Sequence, residues 1–195
     1  MYTFEMSARR RGFKVVAGVD EAGRGSLAGP VVAAAVVLPS HYKNEEIRDS
    51  KQLSSKKRER LYSIIRNDAL SVELGVAGPT VIDALNILQA TLTAMKEAVT
   101  GLSLTVDYLL IDGINSINIP VPQQTIIRGD SLSISIASAS IIAKVSRDRI
   151  MEMYHRQFPQ YNFLRNKGYG TAEHREALKK HGRCKIHRRS FKVKK

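Results

Sequence analysis

The chain has 195 residues, 43% hydrophobic and 25% charged, which suits one globular domain with a single core and leaves too little chain for two full domains. Lys and Arg number 31 against 18 Asp and Glu, and the net charge of +13 favours a polyanionic partner such as a nucleic acid. The single cysteine, Cys184, excludes an intrachain disulfide and fits a reducing cytoplasm, and no apolar run is long enough to cross a membrane. We therefore expect a cytoplasmic protein with one domain, residues 1–195.

The first predicted strand ends in an unusual pair of acids. We expect residues 1–12 to form a loose basic leader. It is not a signal peptide, because Arg9–Arg11 are followed by a short strand-like run and not by a long apolar one. The apolar stretch Lys14–Val19 predicts a buried strand. Asp20 and Glu21 follow it directly, and two such acids repel each other unless a cation lies between them. In a regular strand they would point to opposite faces, so we expect the chain to bend where they meet one ion.

Strands and helices alternate along the rest of the chain. Past Pro159 the chain becomes basic and turn-rich, and we expect residues 160–195 to form a substrate-binding segment. The pattern predicts an α/β class with a mixed sheet. The predicted elements are strand Val31–Leu38, a helix from Ser54 or Ser55 to about Asp68, strand Ser71–Ala77, one amphipathic helix from Gly78 to Gly101, strands Tyr108–Ile111 and Gln123–Ile127, and helix Ile134–Met153.

Two further positions extend the acidic set. Asp112 follows a buried strand, and Asp148 lies on the apolar stripe of the long helix. Glu152 occupies nearly the same helical face one turn later, so periodicity does not choose between it and Asp148. Mg²⁺ and Mn²⁺ prefer carboxylate oxygens, and two such ions can promote the hydrolysis of a phosphodiester. The alternative is that these are unrelated surface acids near turns.

The glycine-rich loop after the acids has two interpretations. Residues 23–28 match the loose dinucleotide pattern G-x-G-x-x-G/A, but Pro30 and the following strand replace the helix that this pattern should open. We therefore favour a backbone that approaches a sugar-phosphate strand and contacts a ribose hydroxyl. A zinc site formed by His181, Cys184 and His187 is disfavoured, because a fourth ligand is missing.

The motifs together resemble the ribonuclease HII family, the bacterial type 2 ribonucleases H. The resemblance implies an RNase H-like fold, with a mixed central sheet flanked by helices and a helical, basic C-terminal part. It also implies endonucleolytic cleavage of the RNA strand in RNA–DNA hybrids and nicking at ribonucleotides embedded in duplex DNA, which leaves 3′-hydroxyl and 5′-phosphate ends. The segments that carry it, in family order, are Gly18–Gly25, Leu27–Val36, Asp49–Lys51, Leu110–Gly113, Ala137–Val145 with Arg147 and Asp148, Gly168–His174 and His187–Phe191.

The resemblance also assigns site residues. It favours Asp148 over Glu152 as the fourth acid, implies Mg²⁺ or Mn²⁺ as cofactor, and implies that Tyr169 stacks on the deoxyribose after the ribonucleotide. The implied catalytic and metal-binding residues are Asp20, Glu21, Asp112 and Asp148, and the implied readers of the 2′-hydroxyl are Gly23, Arg24 and Gly25.

Other roles stay open from the sequence. Lys51 and Lys144 either contact substrate phosphates or pair with the acids, and His174 has no assigned role. The implied partners are an RNA–DNA hybrid and ribonucleotide-containing duplex DNA, with no membrane, and the protein is expected to be a monomer. The rival hypothesis is a non-catalytic protein that binds RNA or hybrids through the same basic surface.

Overall fold

The structure is a computed structural model that describes residues 1–47, 50 and 53–193. Lys51, proposed above as a phosphate contact, lies outside these residues. The five strands of the described chain form one mixed sheet in the order β3-β2-β1-β4-β5. β1 pairs antiparallel with β2 and parallel with β4, β2 pairs antiparallel with β3, and β4 pairs parallel with β5. The strands are β1 (Val16–Ala22), β2 (Val31–Val37), β3 (Ser71–Ala77), β4 (Tyr108–Asp112) and β5 (Gln123–Ile126).

Helices cover both faces of the sheet, as the predicted α/β class with a mixed sheet requires. α4 packs on one face against Val19 and Ile111, and α5 packs on the other with α2 beside it, where Ile65 and Ile141 share a core. The helices are α1 (Thr3–Arg10), α2 (Ser55–Asp68), α3 (Pro79–Leu85), α4 (Ile87–Thr100), α5 (Ile134–Gln157), α6 (Phe163–Asn166) and α7 (Ala172–His181), with short 3₁₀ turns at Gly129–Ser131 and Pro159–Tyr161.

The start of α5 lies almost in contact with β1. A Cβ atom added at Gly18 would be 2.1 Å from the backbone carbon of Ser135, so only glycine allows this approach. The first half of α5 is buried on all sides, and its many Ala and Ser residues let the helix pack closely on the sheet. The close approach places the middle of α5 beside the end of β1.

The segment expected to be a loose leader is helical in the structure. α1 packs with Ala8 against the core around Val16, and its buried Glu5 accepts hydrogen bonds from the Ser133 hydroxyl and the Ser135 amide. A carboxylate at the start of α5 satisfies helix donors that would otherwise lack partners. This long-range contact is not visible in the local sequence, where Glu5 is a single acid near the basic run Arg9–Arg11.

Three other elements differ from the prediction, and the first is α5, which runs to Gln157, about one turn beyond the predicted end at Met153. β1 extends past Val19 and includes both acids, since its pairing with β2 continues to Ala22. The helix predicted from Gly78 to Gly101 is broken at Asn86, where φ is +70° and the side chain caps α4 by accepting from the Gln89 amide. No helix in the described part of the chain is long and apolar enough to span a membrane.

Candidate active site

The three parallel strands of the sheet end at one edge. β1, β4 and β5 run in the same direction, so their carboxyl ends lie side by side. Asp20 and Glu21 lie near the end of β1, Asp112 is the last residue of β4, and Asp130 follows β5 by four residues. In open α/β sheets this edge is where ligands bind. The topology therefore concentrates four acids at the usual position of a functional site.

Asp20 is buried between the sheet and α5. Val19 pairs with Ile111, which places Asp20 beside Asp112 on the neighbouring strand. The Asp20 carboxylate accepts a hydrogen bond from the Ser140 hydroxyl of α5 and another, 2.7 Å long, from the Glu21 amide. Burial above all, and then the charges of Glu21 and Asp112, raise the pKa of Asp20 well above its usual range. A cation would relieve this repulsion.

Glu21 faces the opposite side of β1. It is paired with Ala33 in a regular register, so the bend expected between the two acids is absent. The Glu21 side chain lines a cavity of about 200 Å³ together with Arg24, Asp112 and Met95 of α4. The Arg24 guanidinium lies 3.3 Å from a carboxylate oxygen of Glu21. The cavity thus holds two acids and one exposed cation at the strand ends.

The turn after β5 brings a further acid to Asp112. The Gly129 amide donates to Asp112 Oδ1 over 2.7 Å, and Asp130, the next residue, is only 3% exposed. The hydrogen bond from Gly129 therefore places the turn that contains Asp130 against the end of β4. Asp130 was not among the acids predicted from the sequence, although it follows a predicted strand, as Asp112 does.

Asp148 has a different environment. It forms an ion pair of 2.7 Å with Lys144, and its side chain is 17% exposed. Ser140, which contacts Asp20, lies eight residues earlier in α5, about 12 Å along the helix axis. Glu152, the alternative that periodicity left open, pairs with Lys167 and has a side chain that is 48% exposed. Among the described residues, no group of three or more His, Cys, Asp or Glu side chains is already arranged to hold a metal ion.

The buried side chain of Arg188 holds the Gly-Arg-Gly loop through hydrogen bonds to its backbone. Arg188 is 1% exposed and donates to the carbonyl oxygens of Gly23, Arg24 and Gly29 over 2.7–3.0 Å. Because the N–H and C=O of a trans peptide point in opposite directions, these inward carbonyls turn the amides of Arg24 and Gly25 away from Arg188. The loop therefore presents backbone donors on the side opposite the guanidinium.

A second buried arginine joins this loop to Tyr169. Arg147 donates to the Ala28 and Pro30 carbonyls, to the Ser26 hydroxyl and to the Lys167 carbonyl. Its guanidinium carbon lies 5.4 Å from the centre of the Tyr169 ring, and Lys144 Nζ lies 5.9 Å from it. The roles of Arg147 and Arg188 could not be predicted from the sequence, because an arginine in a basic chain gives no local sign that it is buried.

Tyr169 itself is 39% exposed, so its ring is open to a ligand. The Gly168 carbonyl accepts from the amides of Leu27 and Ala28, which ties the Tyr169 turn directly to the glycine loop. The structure thus places Tyr169 and Lys144 close to the glycine loop, and it pairs Lys144 with Asp148, which is one of the two alternatives that the sequence left open for Lys144.

Comparisons with known proteins agree on one family. The family model described as Ribonuclease HII matches residues 17–194. A ribonuclease HII of Syntrophus aciditrophicus is 66% identical over 191 residues, covering 98% of this chain and 90% of the relative, and one of Geobacter metallireducens is 57% identical over 192 residues with the same coverage.

Solved structures show the same fold. Ribonuclease H2 of Pyrococcus horikoshii superposes with a TM-score of 0.77 at 25% identity, over 92% of this chain and 95% of that one. Bst-RNase HIII, determined in complex with Mn²⁺, superposes with a TM-score of 0.71 at 19% identity, over 91% of this chain and 66% of that one. Both the RNase H-like fold and the resemblance drawn from the motifs are confirmed. On the family model and the relatives' identities, this chain belongs to the ribonuclease HII family.

Proposed function

We propose that the acids at the carboxyl ends of β1, β4 and β5 form the metal-binding catalytic centre of an endonuclease. The observation that carries the proposal is the convergence of Asp20, Glu21, Asp112 and Asp130 at one sheet edge. Asp20 and Asp130 are buried there, and Glu21 and Asp112 line one cavity. As a member of the ribonuclease HII family, the chain is a type 2 ribonuclease H, a hydrolase that cleaves the RNA strand of RNA–DNA hybrids.

The donor set fits a hard divalent cation. Carboxylate oxygens are the ligands that Mg²⁺ and Mn²⁺ prefer, and the pKa of Asp20 is raised by its burial and then by the charges of Glu21 and Asp112, which a cation would offset. The family is divalent-metal dependent, and we propose Mg²⁺ or Mn²⁺ for this protein. Asp20 and Asp112 on adjacent strands would hold the ion, and Glu21, on the opposite face of β1, would reach it from the cavity that it lines together with Asp112.

The chain's own residues position the scissile phosphodiester. A bound divalent ion supplies acidity to the attacking water and a counter-charge to the departing 3′ oxygen. Arg24, which is half-exposed beside Glu21, is placed to contact a phosphate at the cavity. Gly129 holds Asp112 in one orientation through its amide, so this carboxylate is already fixed before substrate binds. Cleavage 5′ to the ribonucleotide would leave 3′-hydroxyl and 5′-phosphate ends.

For the fourth acid we propose Asp130 in place of Asp148. Asp130 is buried and follows the residue that binds Asp112, whereas Asp148 is paired with Lys144 further along α5. Asp148 then serves to orient Lys144 toward Tyr169, and Lys144 contacts a substrate phosphate.

Recognition of the ribonucleotide is assigned to the glycine loop and Tyr169. The outward amides of Arg24 and Gly25 can donate to a 2′-hydroxyl, the group that distinguishes RNA from DNA. The half-exposed Tyr169 ring can stack on the sugar that follows. The basic segment 160–195 would contact the duplex backbone, so that binding weakens as salt is raised.

The first test uses a duplex with one embedded ribonucleotide, incubated with Mn²⁺ and then with EDTA. We expect nicking only with the metal, and we expect Asp112→Asn to abolish nicking while hybrid binding is largely retained. An intact substrate in Mn²⁺ would favour the non-catalytic rival, and near wild-type cleavage by the Asp112 variant would remove the assigned metal role.

A second test compares Asp130→Asn with Asp148→Asn. We expect the first to lose cleavage and the second to keep kcat within about tenfold, with a raised KM, because Asp148 acts through a part-buried ion pair with Lys144 that contributes about 1 kcal/mol. The opposite order would restore Asp148 as the fourth acid. A cytoplasmic location, a single domain over residues 1–195 and a monomeric state stay predictions, and size-exclusion chromatography with light scattering tests the last.

A further inference from the structure

A pair of buried histidines lies behind the Tyr169 turn. His174 of α7 is fully buried and His187 is 4% exposed, and their Nε2 atoms are 3.0 Å apart. The rings of Tyr161 and Phe163 pack around the pair. None of the chemistry proposed above uses either imidazole.

The hydrogen-bond partners determine which nitrogen of each ring carries the proton. The Cys184 amide donates to His187 Nδ1 over 2.9 Å, so this nitrogen is an acceptor and the hydrogen of the neutral ring is on Nε2. His187 Nε2–H therefore donates to His174 Nε2, and the hydrogen of His174 is on Nδ1. That group donates to the Tyr169 carbonyl over 2.9 Å.

The result is a directional chain from the Cys184 amide through both imidazoles to the backbone of Tyr169. The two ends belong to different parts of the basic C-terminal segment, and the chain leaves no donor facing a donor. An added proton on either ring would break it, since a second N–H would meet another donor. Burial lowers the pKa of His174, and burial with the nearby His174 charge lowers the pKa of His187 to about 4, so both rings are neutral at neutral pH.

We propose that His174 and His187 are positioning residues that hold the Tyr169 backbone so that its ring meets the sugar next to the ribonucleotide. The inference rests on the proposed function, since the contact of Tyr169 with substrate belongs to that proposal. The Tyr169 carbonyl accepts from both His174 Nδ1 and the Thr171 amide, and the Tyr169 amide donates to the Asn166 carbonyl. Among the described residues, the His174 side chain makes the one of these three contacts that comes from outside the turn, and loss of its donor removes that contact.

Two substitutions of His174 test separately its hydrogen bond to the Tyr169 carbonyl and its hydrogen bond from His187. In His174→Asn the amide nitrogen replaces Nδ1 and keeps the bond to the Tyr169 carbonyl. In His174→Gln the amide oxygen replaces Nε2 and keeps the acceptor for His187, but the donor to Tyr169 is lost. Both variants remove the imidazole, so they are matched for the loss of ring packing.

Steady-state kinetics on a duplex with one embedded ribonucleotide gives the readout. We expect His174→Gln to raise KM about three- to tenfold with kcat within about twofold, as for one lost hydrogen bond, and His174→Asn to keep KM within about twofold. In a Tyr169→Ala background, His174→Gln should raise KM no further, because its effect passes through that side chain. Equal effects of the two variants, an undiminished effect in the Tyr169→Ala background, or a Tyr169→Ala variant with wild-type KM would overturn the proposal.

A measurement on the unmodified protein keeps the inference testable if a variant fails to fold. Nitrogen NMR of the histidine rings should show His187 protonated on Nε2 and His174 on Nδ1 at neutral pH. The opposite tautomer at His174 would overturn the positioning role. Metal-dependent nicking by the wild-type protein tests the proposed function separately, so that a failure of either is distinguishable.

Discussion

Substitution of Gly23 by alanine tests whether the glycine loop is held rigidly against the buried arginines. Gly23 has a φ of +98°, and a Cβ atom added there would lie 2.0 Å from Arg147 Nε. Arg147 cannot move aside without losing hydrogen bonds to three carbonyls and the Ser26 hydroxyl. The left-handed backbone costs ~1–2 kcal/mol for alanine, and forced repacking of a buried group costs ~1–3 kcal/mol more.

We therefore expect Gly23→Ala to lower the free energy of unfolding by ~2–5 kcal/mol, measured by equilibrium urea denaturation. Gly25→Ala is the matched control in the same loop, because Gly25 has no atom within 4 Å of an added Cβ and is not among the positive-φ glycines. Its free energy of unfolding should change by less than ~0.5 kcal/mol.

Nicking of a duplex with one embedded ribonucleotide shows whether a substitution affects recognition of the ribonucleotide in addition to the stability of the fold. Both variants should lose discrimination between a ribonucleotide and a deoxyribonucleotide, since a Cβ at either position alters how closely the backbone approaches the sugar. If Gly23→Ala and Gly25→Ala have the same free energy of unfolding, the loop can move to accommodate the added methyl group, and Arg147 does not hold it rigidly.

Three further predictions concern the buried charges. Arg188→Met should lower the free energy of unfolding by ~3–5 kcal/mol in urea denaturation, because three inward carbonyls lose their donor. The control Arg189→Met, at an exposed position, should have little effect. Equal effects of the two substitutions would contradict the role of Arg188 in holding the glycine loop. The pKa of His187 is lowered from 6.5 to about 4, so as the pH falls the unfolded chain binds the proton before the folded protein does. The free energy of unfolding should therefore fall by ~1–3 kcal/mol as the pH drops from about 6.5 to about 4. His187→Gln should flatten this part of the pH profile, and His41→Gln, at an exposed position, is the matched control. Asp20→Asn should raise the melting temperature of the metal-free protein, because it removes a buried charge repelled by Glu21 and Asp112. The variant should also show a smaller rise in melting temperature on addition of Mn²⁺ than the wild type does. An unchanged response to Mn²⁺ would argue against Asp20 as a ligand.

Local patterns were sufficient for most of the fold. Strand β3 and helix α2 begin and end where alternation and capping predicted, and Asp20, Glu21 and Asp112 were visible because acids rarely follow buried apolar strands. The motifs, taken in order, were also enough to place the chain in its family. These signals are local, since each depends on residues within about one turn or one strand of each other.

Contacts between distant segments were decided only by the tertiary structure. The parallel order of β1, β4 and β5 places the turn that contains Gly129 and Asp130 against Asp112, whereas the resemblance of the motifs pointed to Asp148 in α5. The burial of Arg147 and Arg188, the histidine pair, and the docking of Glu5 at the start of α5 each join residues more than ten positions apart in the chain. Hydrogen bonds of this kind leave no periodic trace in the sequence, because they depend on which surfaces meet after the strands and helices have packed.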